Sequence, residues 1–224
     1  KILIIGHTGF KGSWLTMVLS LFHAKLYGIS LNVTSNPSNF KVSRVHTKIK
    51  DYRVDIRDFK KLRQKINKIN PDIIFNLAAQ SLVRESFKNP FNTWSTNFIG
   101  SLNLLEILKI RKRKKKITLV LITSDKCYKN INKSQGYKEN DILGGYEPYG
   151  ASKASVEILF HSYFQSFFKN DKKILMASAR AGNVIGGGDW SKDRIIPDLI
   201  KNLKKNNKIL IRYPNSTRPW QHVL

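Results

Sequence analysis

The sequence has one cysteine, few acidic residues and no long apolar run, and each shortage excludes a class of protein. With Cys127 as its single cysteine the chain forms no intrachain disulfide, which is typical of a protein in a reducing cytoplasm. No apolar stretch approaches the roughly 20 residues that span a bilayer, so no membrane segment is predicted. No signal peptide is visible, because residues 1–5 form a short strand that runs into a glycine turn.

The shortage of acidic residues leaves a strong positive charge. Lysine and arginine number 40 against 15 acidic residues, which gives a formal net charge of +25 at pH 7. Such an excess indicates either nucleic-acid binding or a composition biased toward lysine, asparagine and isoleucine. The charges follow expected exposed helix faces and loops such as residues 111–116, without an RNP-like strand, zinc-knuckle spacing or clear helix-turn-helix pattern. We favour the composition bias and expect no nucleic-acid partner.

Short apolar runs alternate with helical patterns along the chain. Strands are predicted at residues 1–5, 25–30, 52–55, 73–77, 117–123, 174–179 and 209–212. Helices are predicted at residues 59–69, 98–110 and 149–168. Repeated β-α-β units of this kind predict an α/β fold with a doubly wound parallel sheet, whose ligands bind at the carboxyl ends of the strands.

Two segments depart from the alternation. Residues 126–148 form a long polar connection, of a length that is usually kept only in functional loops. After Ala179 the alternation of strands and helices changes, beginning with a glycine turn at residues 186–190. We therefore predict a nucleotide-binding domain at residues 1–180 and the start of a smaller substrate-binding region at residues 181–224.

The first strand leads directly into a phosphate loop. Gly6, Gly9 and Gly12 allow a tight turn and a close approach of the backbone to a pyrophosphate. The helix that follows, predicted to begin near Ser13, presents free N–H groups to the phosphates. A purely structural glycine turn is the alternative, but the position after the first strand of a β-α-β array favours phosphate binding.

A tyrosine and a lysine at helical spacing form the expected catalytic pair. Tyr149 and Lys153 are four residues apart, so they lie on one face of a helix. A nearby ammonium lowers the pKa of a tyrosine, which then takes a proton from an alcohol while hydride leaves the carbon. Ser124 and Asp125 lie upstream, directly after the strand predicted at 117–123.

These motifs resemble the extended short-chain dehydrogenase/reductase family (NAD-dependent epimerase/dehydratase), and within it the CDP-glucose branch of the 4,6-dehydratases. The blocks that carry the resemblance are GHTGFKGSW at 6–14, LAAQ at 77–80 followed by Val83 and Arg84, TSDKCY at 123–128, GYKEND at 136–141, LGG at 143–145, SARAGNVIGGGDW at 178–190 and RPWQHVL at 218–224. The resemblance covers essentially the whole chain and implies a Rossmann-like fold.

The resemblance implies NAD as cofactor and no metal. The residues expected to bind it are Gly6, Thr8, Gly9, Phe10, Lys11, Gly12, Asp55, Ile56, Leu77, Ala78, Ala79, Gln80, Tyr149 and Lys153. Asp55 is expected at the end of the third strand, against the adenine, with a simple turn residue as the alternative. The family's acidic residue after the second strand is missing, so Ser30 or Asn32 would replace it. The absence of an adjacent arginine favours NAD over NADP.

The same resemblance implies a set of catalytic roles. Ser124 orients the sugar, Asp125 protonates the departing C6 hydroxyl, and Lys126 stands where most 4,6-dehydratases carry the glutamate that removes the C5 proton. Lys126 is either a neutral base or a cation that stabilises the enolate; a pair with Asp125 that only orders the strand end is the third interpretation. Residues expected to bind substrate are Arg84, Ser124, Asn183, Trp190, Arg212 and Arg218.

The implied reaction converts CDP-glucose to CDP-4-keto-6-deoxyglucose and water, in a cytoplasmic homo-oligomer of bacterial origin. The product would feed 3,6-dideoxyhexose synthesis for the O-antigen of lipopolysaccharide. Another dehydratase or epimerase of GDP-, dTDP- or UDP-sugars is the alternative, and a basic nucleic-acid-binding protein on a Rossmann-like scaffold is the remote one. The chain is expected to be truncated, since the family continues well beyond Leu224.

Overall fold

The computed structural model describes residues 1–33, 35–111, 115–208, 211 and 213–224. Six parallel strands form a central sheet in the order β3-β2-β1-β4-β5-β6. These strands are β1 (Ile2–Ile5), β2 (Leu26–Ser30), β3 (Lys50–Arg53), β4 (Ile73–Asn76), β5 (Ile117–Ile122) and β6 (Ile174–Ala179). A second sheet pairs β7 (Asn183–Ile185) with β8 (Trp220–His222) in parallel. The predicted fold class, a doubly wound Rossmann-like sheet, is confirmed.

Helices cover both faces of the central sheet. They are α1 (Phe10–Leu19), α2 (Asn39–Val42), α3 (Phe59–Ile69), α4 (Val83–Lys88), α5 (Pro90–Trp94), α6 (Gly100–Ile110), α7 (Pro148–Tyr163) and α8 (Ile195–Lys204). A π-helical turn, Ser95–Ile99, joins α5 to α6, and another, Phe164–Phe168, ends α7. Across the described ranges, none of these helices is both long and apolar enough to cross a bilayer.

The alternation of side chains along each strand divides the core into two halves. On β1, Leu3 and Ile5 belong to the larger half, whereas Ile4 packs into the smaller half on the other face. Helix α6 contributes Leu104 and Leu108 to the larger half, where both are fully buried. Replacing either leucine with alanine would lower the free energy of unfolding by about 2–5 kcal/mol. This rigid sheet fixes the positions of the loops at its carboxyl edge.

Several predicted boundaries are wrong by a few residues. Helix α1 begins at Phe10 instead of Ser13, because Gly9 already serves as its N-cap. Strand β3 ends at Arg53, so Asp55 follows it in a turn where its carboxylate accepts the backbone N–H of Arg57 (2.8 Å). The predicted helix at 59–69 is confirmed. The strand predicted at 209–212 falls mostly outside the described residues.

Candidate active site

A cleft of about 1030 Å³ opens at the carboxyl edge of the central sheet. The predicted site residues that line it are Gly6, Thr8, Gly9, Phe10, Lys11, Gly12, Asp55, Ile56, Leu77, Ala78, Ala79, Arg84, Ser124, Asp125, Lys126, Tyr149, Lys153, Asn183, Trp190 and Arg218. Gln80 is not among them, which corrects its assignment: its side-chain amide donates to the Thr93 hydroxyl (2.8 Å) and the Leu82 carbonyl (3.1 Å) instead. Arg212 lies outside the described residues.

The glycine loop builds one wall of the cleft from backbone atoms. Gly6 has a φ of 91°, and a Cβ there would come within 2.7 Å of the Ala78 nitrogen at the end of β4. A Cβ on Gly12 would lie 2.2 Å from the Gly6 carbonyl oxygen. Gly9, the N-cap of α1, has no side chain that could accept the N–H groups of the first turn, so these groups are left for a ligand. This cradle fits the pyrophosphate of a dinucleotide.

Lys11 lies in the first turn of α1, where a cation is unfavourable beside the positive end of the helix dipole. Burial lowers the pKa of its ammonium, and Arg194 lowers it further, whereas Asp125 and Asp189 raise it. Within the described part of the chain, Lys11 has no hydrogen-bond or ion-pair partner. Its charge is therefore available to an anion in the cleft.

An arginine lies beside the end of β2, next to the cleft-lining residues Ser30 and Leu31. The register of β2 and β3 sets Arg53 opposite Ser30, and its guanidinium donates to the Leu31 carbonyl (2.5 Å). The argument from the absence of a neighbouring arginine is therefore wrong, because only the pairing of the strands reveals this neighbour. The charge of Arg53 is matched by Asp51 at 2.5 Å, however, so this cation is already paired.

His7 is a packing residue of the same turn. Its ring is fully buried, and its Nε2 lies 2.9 Å from Asp51 Oδ1. A Cβ on Gly28 would come within 2.5 Å of this ring, so the histidine occupies the space that the glycine leaves. Burial lowers the pKa of His7, against the opposing effect of Asp51. The side chain therefore supports the loop from behind.

The residues after β5 form a short 3₁₀ turn, Asp125–Cys127, at the centre of the cleft. Ser124 is its N-cap: the hydroxyl accepts the Lys126 N–H (3.3 Å) and donates to Asp125 Oδ1 (3.1 Å). The Asp125 N–H donates to the Ala181 carbonyl (3.0 Å), which ties the turn to the chain after β6. Asp125 and Lys126 do not form an ion pair, so the interpretation of Lys126 as a mere partner of Asp125 is wrong.

Tyr149 and Lys153 lie one turn apart near the start of α7, and both are buried. Burial raises the pKa of Tyr149, while the Ser124 hydroxyl and the Arg194 guanidinium lower it. The expected lowering by Lys153 is therefore wrong for this structure: the Lys153 ammonium donates to the Ile122 carbonyl (3.1 Å) instead. Desolvation lowers the pKa of Lys153 to about 8, with the nearby charge of Lys11 acting in the same direction.

The chain between β7 and α8 closes the other side of the cleft. Arg84 pairs with Asp193 (2.6 Å), and Arg194 pairs with Asp189 (2.8 Å) and donates to the Ser81 hydroxyl (3.2 Å). Arg194 is the functional candidate that the sequence did not reveal. It is one of 40 basic residues, and no local pattern separates it from the others.

Two other predicted substrate residues are placed less specifically. The Asn183 N–H donates to the Pro219 carbonyl (3.2 Å), which joins the two strands of the small sheet. The exposed Arg218 donates to its neighbour Thr217 (2.7 Å). Groups of three or more His, Cys, Asp or Glu side chains that could hold a metal ion are absent from the described residues.

Comparison with known proteins assigns the family. The model of the GDP-mannose 4,6 dehydratase family matches residues 3–224. The chain belongs to this family. It is 45% identical to the CDP-glucose 4,6-dehydratase of Salmonella typhimurium, over 100% of this chain and 63% of the relative. It is 32% identical to the dTDP-D-glucose 4,6-dehydratase of Dictyostelium discoideum, over 94% of this chain and 50% of the relative.

A solved structure extends the likeness of fold to this family of dehydratases. The dTDP-glucose 4,6-dehydratase of Bacillus anthracis, in complex with NAD, superposes with a TM-score of 0.80 at 24% identity. The match covers 99% of this chain and 67% of that one. The chain therefore spans about two thirds of the length of its relatives or less, and all of it lies within the shared fold.

Proposed function

We propose that the full-length protein is a CDP-glucose 4,6-dehydratase, which converts CDP-glucose to CDP-4-keto-6-deoxyglucose and water. One observation carries the proposal: a backbone cradle for a dinucleotide and the side chains of Ser124, Asp125, Lys126, Tyr149 and Lys153 line a single cleft. The identity of 45% to a CDP-glucose 4,6-dehydratase supports this substrate over other nucleotide sugars.

The cofactor that fits the cleft is NAD, which when bound accepts a hydride from the substrate and returns it later in the same cycle. Gly6, Gly9 and Gly12 leave room for its pyrophosphate at the start of α1. Asp55 and Ile56 line the far end of the cleft, at the place proposed for the adenine. The guanidinium of Arg53, beside the end of β2, is already paired with Asp51, which supports NAD over NADP.

The first chemical step is the oxidation at C4 of the glucose. Tyr149 takes the proton of the C4 hydroxyl as a tyrosinate, a form that burial disfavours and that the Ser124 hydroxyl and the Arg194 guanidinium favour. Ser124 also holds the C4 hydroxyl. Lys153 lies one helical turn after Tyr149. The pKa of its ammonium is about 8, so Lys153 is mostly protonated at neutral pH. The resulting 4-ketone acidifies the hydrogen at C5.

The second step is the loss of water across C5 and C6. Asp125 delivers a proton to the C6 oxygen, so that the oxygen leaves as water, and Lys126, which also lines the cleft, acts at C5. Lys126 either removes the C5 proton as a neutral amine or stabilises the enolate as an ammonium. A hydride returned to C6 and a proton added at C5 would complete the product, with the 4-ketone kept. The two protons taken from the C4 hydroxyl by Tyr149 and from C5 by Lys126, or by water if Lys126 is an ammonium, restore C5 and Asp125, so the reaction involves no net oxidation.

The division of labour follows the position in the chain. Residues 1–180 serve as the NAD-binding domain, and residues 181–224 begin the substrate-binding domain. Asn183, Trp190 and Arg218 line the cleft on that second side, within reach of a nucleotide sugar. Arg84 joins the two sides through Asp193, so its proposed effect on substrate binding acts through that contact.

The setting of the enzyme is proposed on the same basis. We place it in the bacterial cytoplasm, in the synthesis of 3,6-dideoxyhexoses for the O-antigen of lipopolysaccharide. A homo-oligomer is supported by large apolar side chains exposed on neighbouring helices: Phe87 on α4, Phe91 on α5 and Ile158 on α7 are 65%, 82% and 60% exposed. Helices α4 and α5 both contact α7.

The test is a panel of nucleotide sugars supplied to the full-length protein with NAD. Release of a 4-keto-6-deoxy sugar from CDP-glucose, at a rate at least tenfold above those from dTDP-, GDP- and UDP-glucose, is the expected result. A preference for another nucleotide, or epimerisation without loss of water, would support the nearest alternative. Salt-sensitive binding to nucleic acid without any sugar turnover would support the remote one.

A further inference from the structure

A buried acid that the proposed chemistry does not use lies directly behind the catalytic turn. Glu157 follows Lys153 by one turn of α7, and its side chain is 4% exposed. Its carboxylate accepts hydrogen bonds from the hydroxyls of Thr123 and Ser178 (3.0 Å for Ser178) and from the Arg180 guanidinium (3.0 Å). A buried carboxylate requires this number of donors, because an unpaired charge in the interior is strongly unfavourable.

The partners of Glu157 fix the backbone on both sides of Ser124. Thr123 immediately precedes Ser124, and its N–H donates to the Ala179 carbonyl (2.9 Å) while its hydroxyl binds Glu157. Asp125 immediately follows, and its N–H donates to the Ala181 carbonyl (3.0 Å). The Ser124 hydroxyl is thus held in place by contacts that its neighbours make to α7 and to the chain around Arg180.

Arg180 extends the same anchor to the long connection after the catalytic turn. Its guanidinium lies 4.9 Å from the centre of the Tyr128 ring and donates to the Glu139 carbonyl (3.0 Å). Tyr128 in turn stacks on Tyr137, with ring centres 5.1 Å apart. The pair of Glu157 and Arg180 therefore contacts the ends of β5 and β6 and the connection at 128–147.

We propose that Glu157 is a positioning residue that, with Arg180, holds Ser124 and Asp125 in their catalytic places and orders the connection at 128–147. The role rests on the proposed function for its kinetic part, because Ser124 and Asp125 act on the sugar in that scheme. Its structural part, the ordering of these two segments, stands without it.

The test compares two glutamate variants of the full-length protein. Glu157→Gln keeps the shape of the side chain but removes its charge. We expect kcat for CDP-glucose to fall about 100-fold, because misplacing reacting groups by about 1 Å has an effect of this size. KM should change less than threefold. Glu106→Gln is the matched control: Glu106 binds Lys109 (2.8 Å) and the hydroxyl of Tyr163, which is the last residue of α7, at the other end of the helix from Tyr149, so kcat should stay at the wild-type value. Glu157→Asp, which keeps the charge, should recover part of the loss.

The pH profile separates positioning from a loss of folded protein. The negative charge of Glu157 raises the pKa of Lys153, so Glu157→Gln should move any kinetic pKa that reports Lys153 to lower pH. Glu106→Gln should leave the profile unchanged. A merely structural role would lower the melting temperature of Glu157→Gln and leave the kcat of its folded fraction at the wild-type value.

Hydrogen exchange tests the inference where no sugar is turned over. In Glu157→Gln, backbone exchange should become at least tenfold faster at residues 123–127 and 128–147, and it should remain slow there in Glu106→Gln. If Glu157→Gln does not fold, Thr123→Val, which removes one of the three bonds, should give the same pattern at smaller size. If Glu157→Gln keeps the wild-type kcat and the wild-type exchange rates in these segments, the proposal is overturned. If the wild-type protein turns over no nucleotide sugar but exchange in Glu157→Gln is fast, the proposed function alone is overturned.

Discussion

The two ends of the cleft are built in different ways. At the cofactor end the contacts are between backbone atoms, as where Gly12 and Gly6 approach so closely that a Cβ would lie 2.2 Å from a carbonyl oxygen. At the catalytic end the contacts are between buried polar side chains from distant parts of the chain, such as Thr123 and Glu157. The first end depends on the absence of side chains and the second on a set of hydrogen bonds that must all be satisfied.

This difference explains how each end tolerates change. A backbone cradle fails by steric overlap at a single position, and its failure should affect cofactor binding first. A polar network fails by leaving a charge or a donor unpaired, and its failure should affect the rate of the chemical steps first. The variants below test whether the two ends separate in this way.

The largest effect is expected at the catalytic end. Tyr149→Phe removes the group that takes the C4 proton, so kcat should fall by about 100- to 10,000-fold. NAD affinity should stay within threefold of the wild type, because the cradle is untouched. Steady-state kinetics and a calorimetric titration with NAD measure the two quantities, and a parallel loss of both would show that the ends are not separable.

The next effect is expected at the cofactor end. Gly12→Ala forces a Cβ against the Gly6 carbonyl, so the protein should lose about 1–3 kcal/mol of unfolding free energy. NAD affinity should fall about tenfold, which is about 1.4 kcal/mol. Gly136→Ala is the control, since nothing lies within 4 Å of a Cβ there. Equal effects of the two substitutions in urea unfolding and NAD titration would contradict the steric argument.

The burial of a charge at the catalytic end should cost stability. The folded pKa of Lys153, about 8, lies below its ordinary value of 10.5, so below pH 8 the folded state carries the full cost of a buried ammonium. Lys153→Met should therefore stabilise the cofactor-free protein at pH 7 by on the order of 2 kcal/mol.

The pH dependence gives the sign of this effect. As the pH rises from about 8 toward 10.5, the unfolded wild-type chain keeps a proton that the folded chain has lost, so the wild type gains stability and the gap to Lys153→Met closes. Urea unfolding of both proteins at pH 7 and pH 9.5 measures the gap. A gap that widens with pH would show that the ammonium is not buried at a cost.

The smallest effect is expected where the two sides of the cleft meet. The pair of Arg84 and Asp193 is partly exposed, with side chains 58% and 32% accessible, so breaking it should change the apparent binding free energy of CDP-glucose by about 1 kcal/mol or less. Arg84→Ala and Asp193→Ala should then raise KM by similar factors of about five or less. A much larger rise for Arg84→Ala alone would show that Arg84 binds the substrate directly.

The contrast between the ends also accounts for what the sequence reveals. The cofactor end can be predicted from the sequence, because Gly6, Gly9 and Gly12 are close together in the chain. The alternation of strands and helices also predicts the sheet that carries them. The pair of Tyr149 and Lys153 can be predicted for the same reason, because the two residues are only four positions apart.

The contacts that support the cleft cannot be predicted from the sequence, because they join residues that are far apart in the chain. Arg53 reaches the end of β2 only through the register of two strands, and Arg194 reaches the cleft only through the fold of the chain before α8. The raised pKa of Tyr149 is likewise a product of burial, which local spacing with Lys153 does not predict.

The most direct test of the central claim follows one atom through the reaction. CDP-glucose carrying deuterium at C4 is supplied to the full-length protein with NAD, and the product is examined by mass spectrometry and NMR. If the groups gathered in this cleft carry out oxidation, loss of water and reduction on one bound sugar, the deuterium should be recovered at C6 of the same molecule. Deuterium lost to solvent, or retained at C4, would contradict the account.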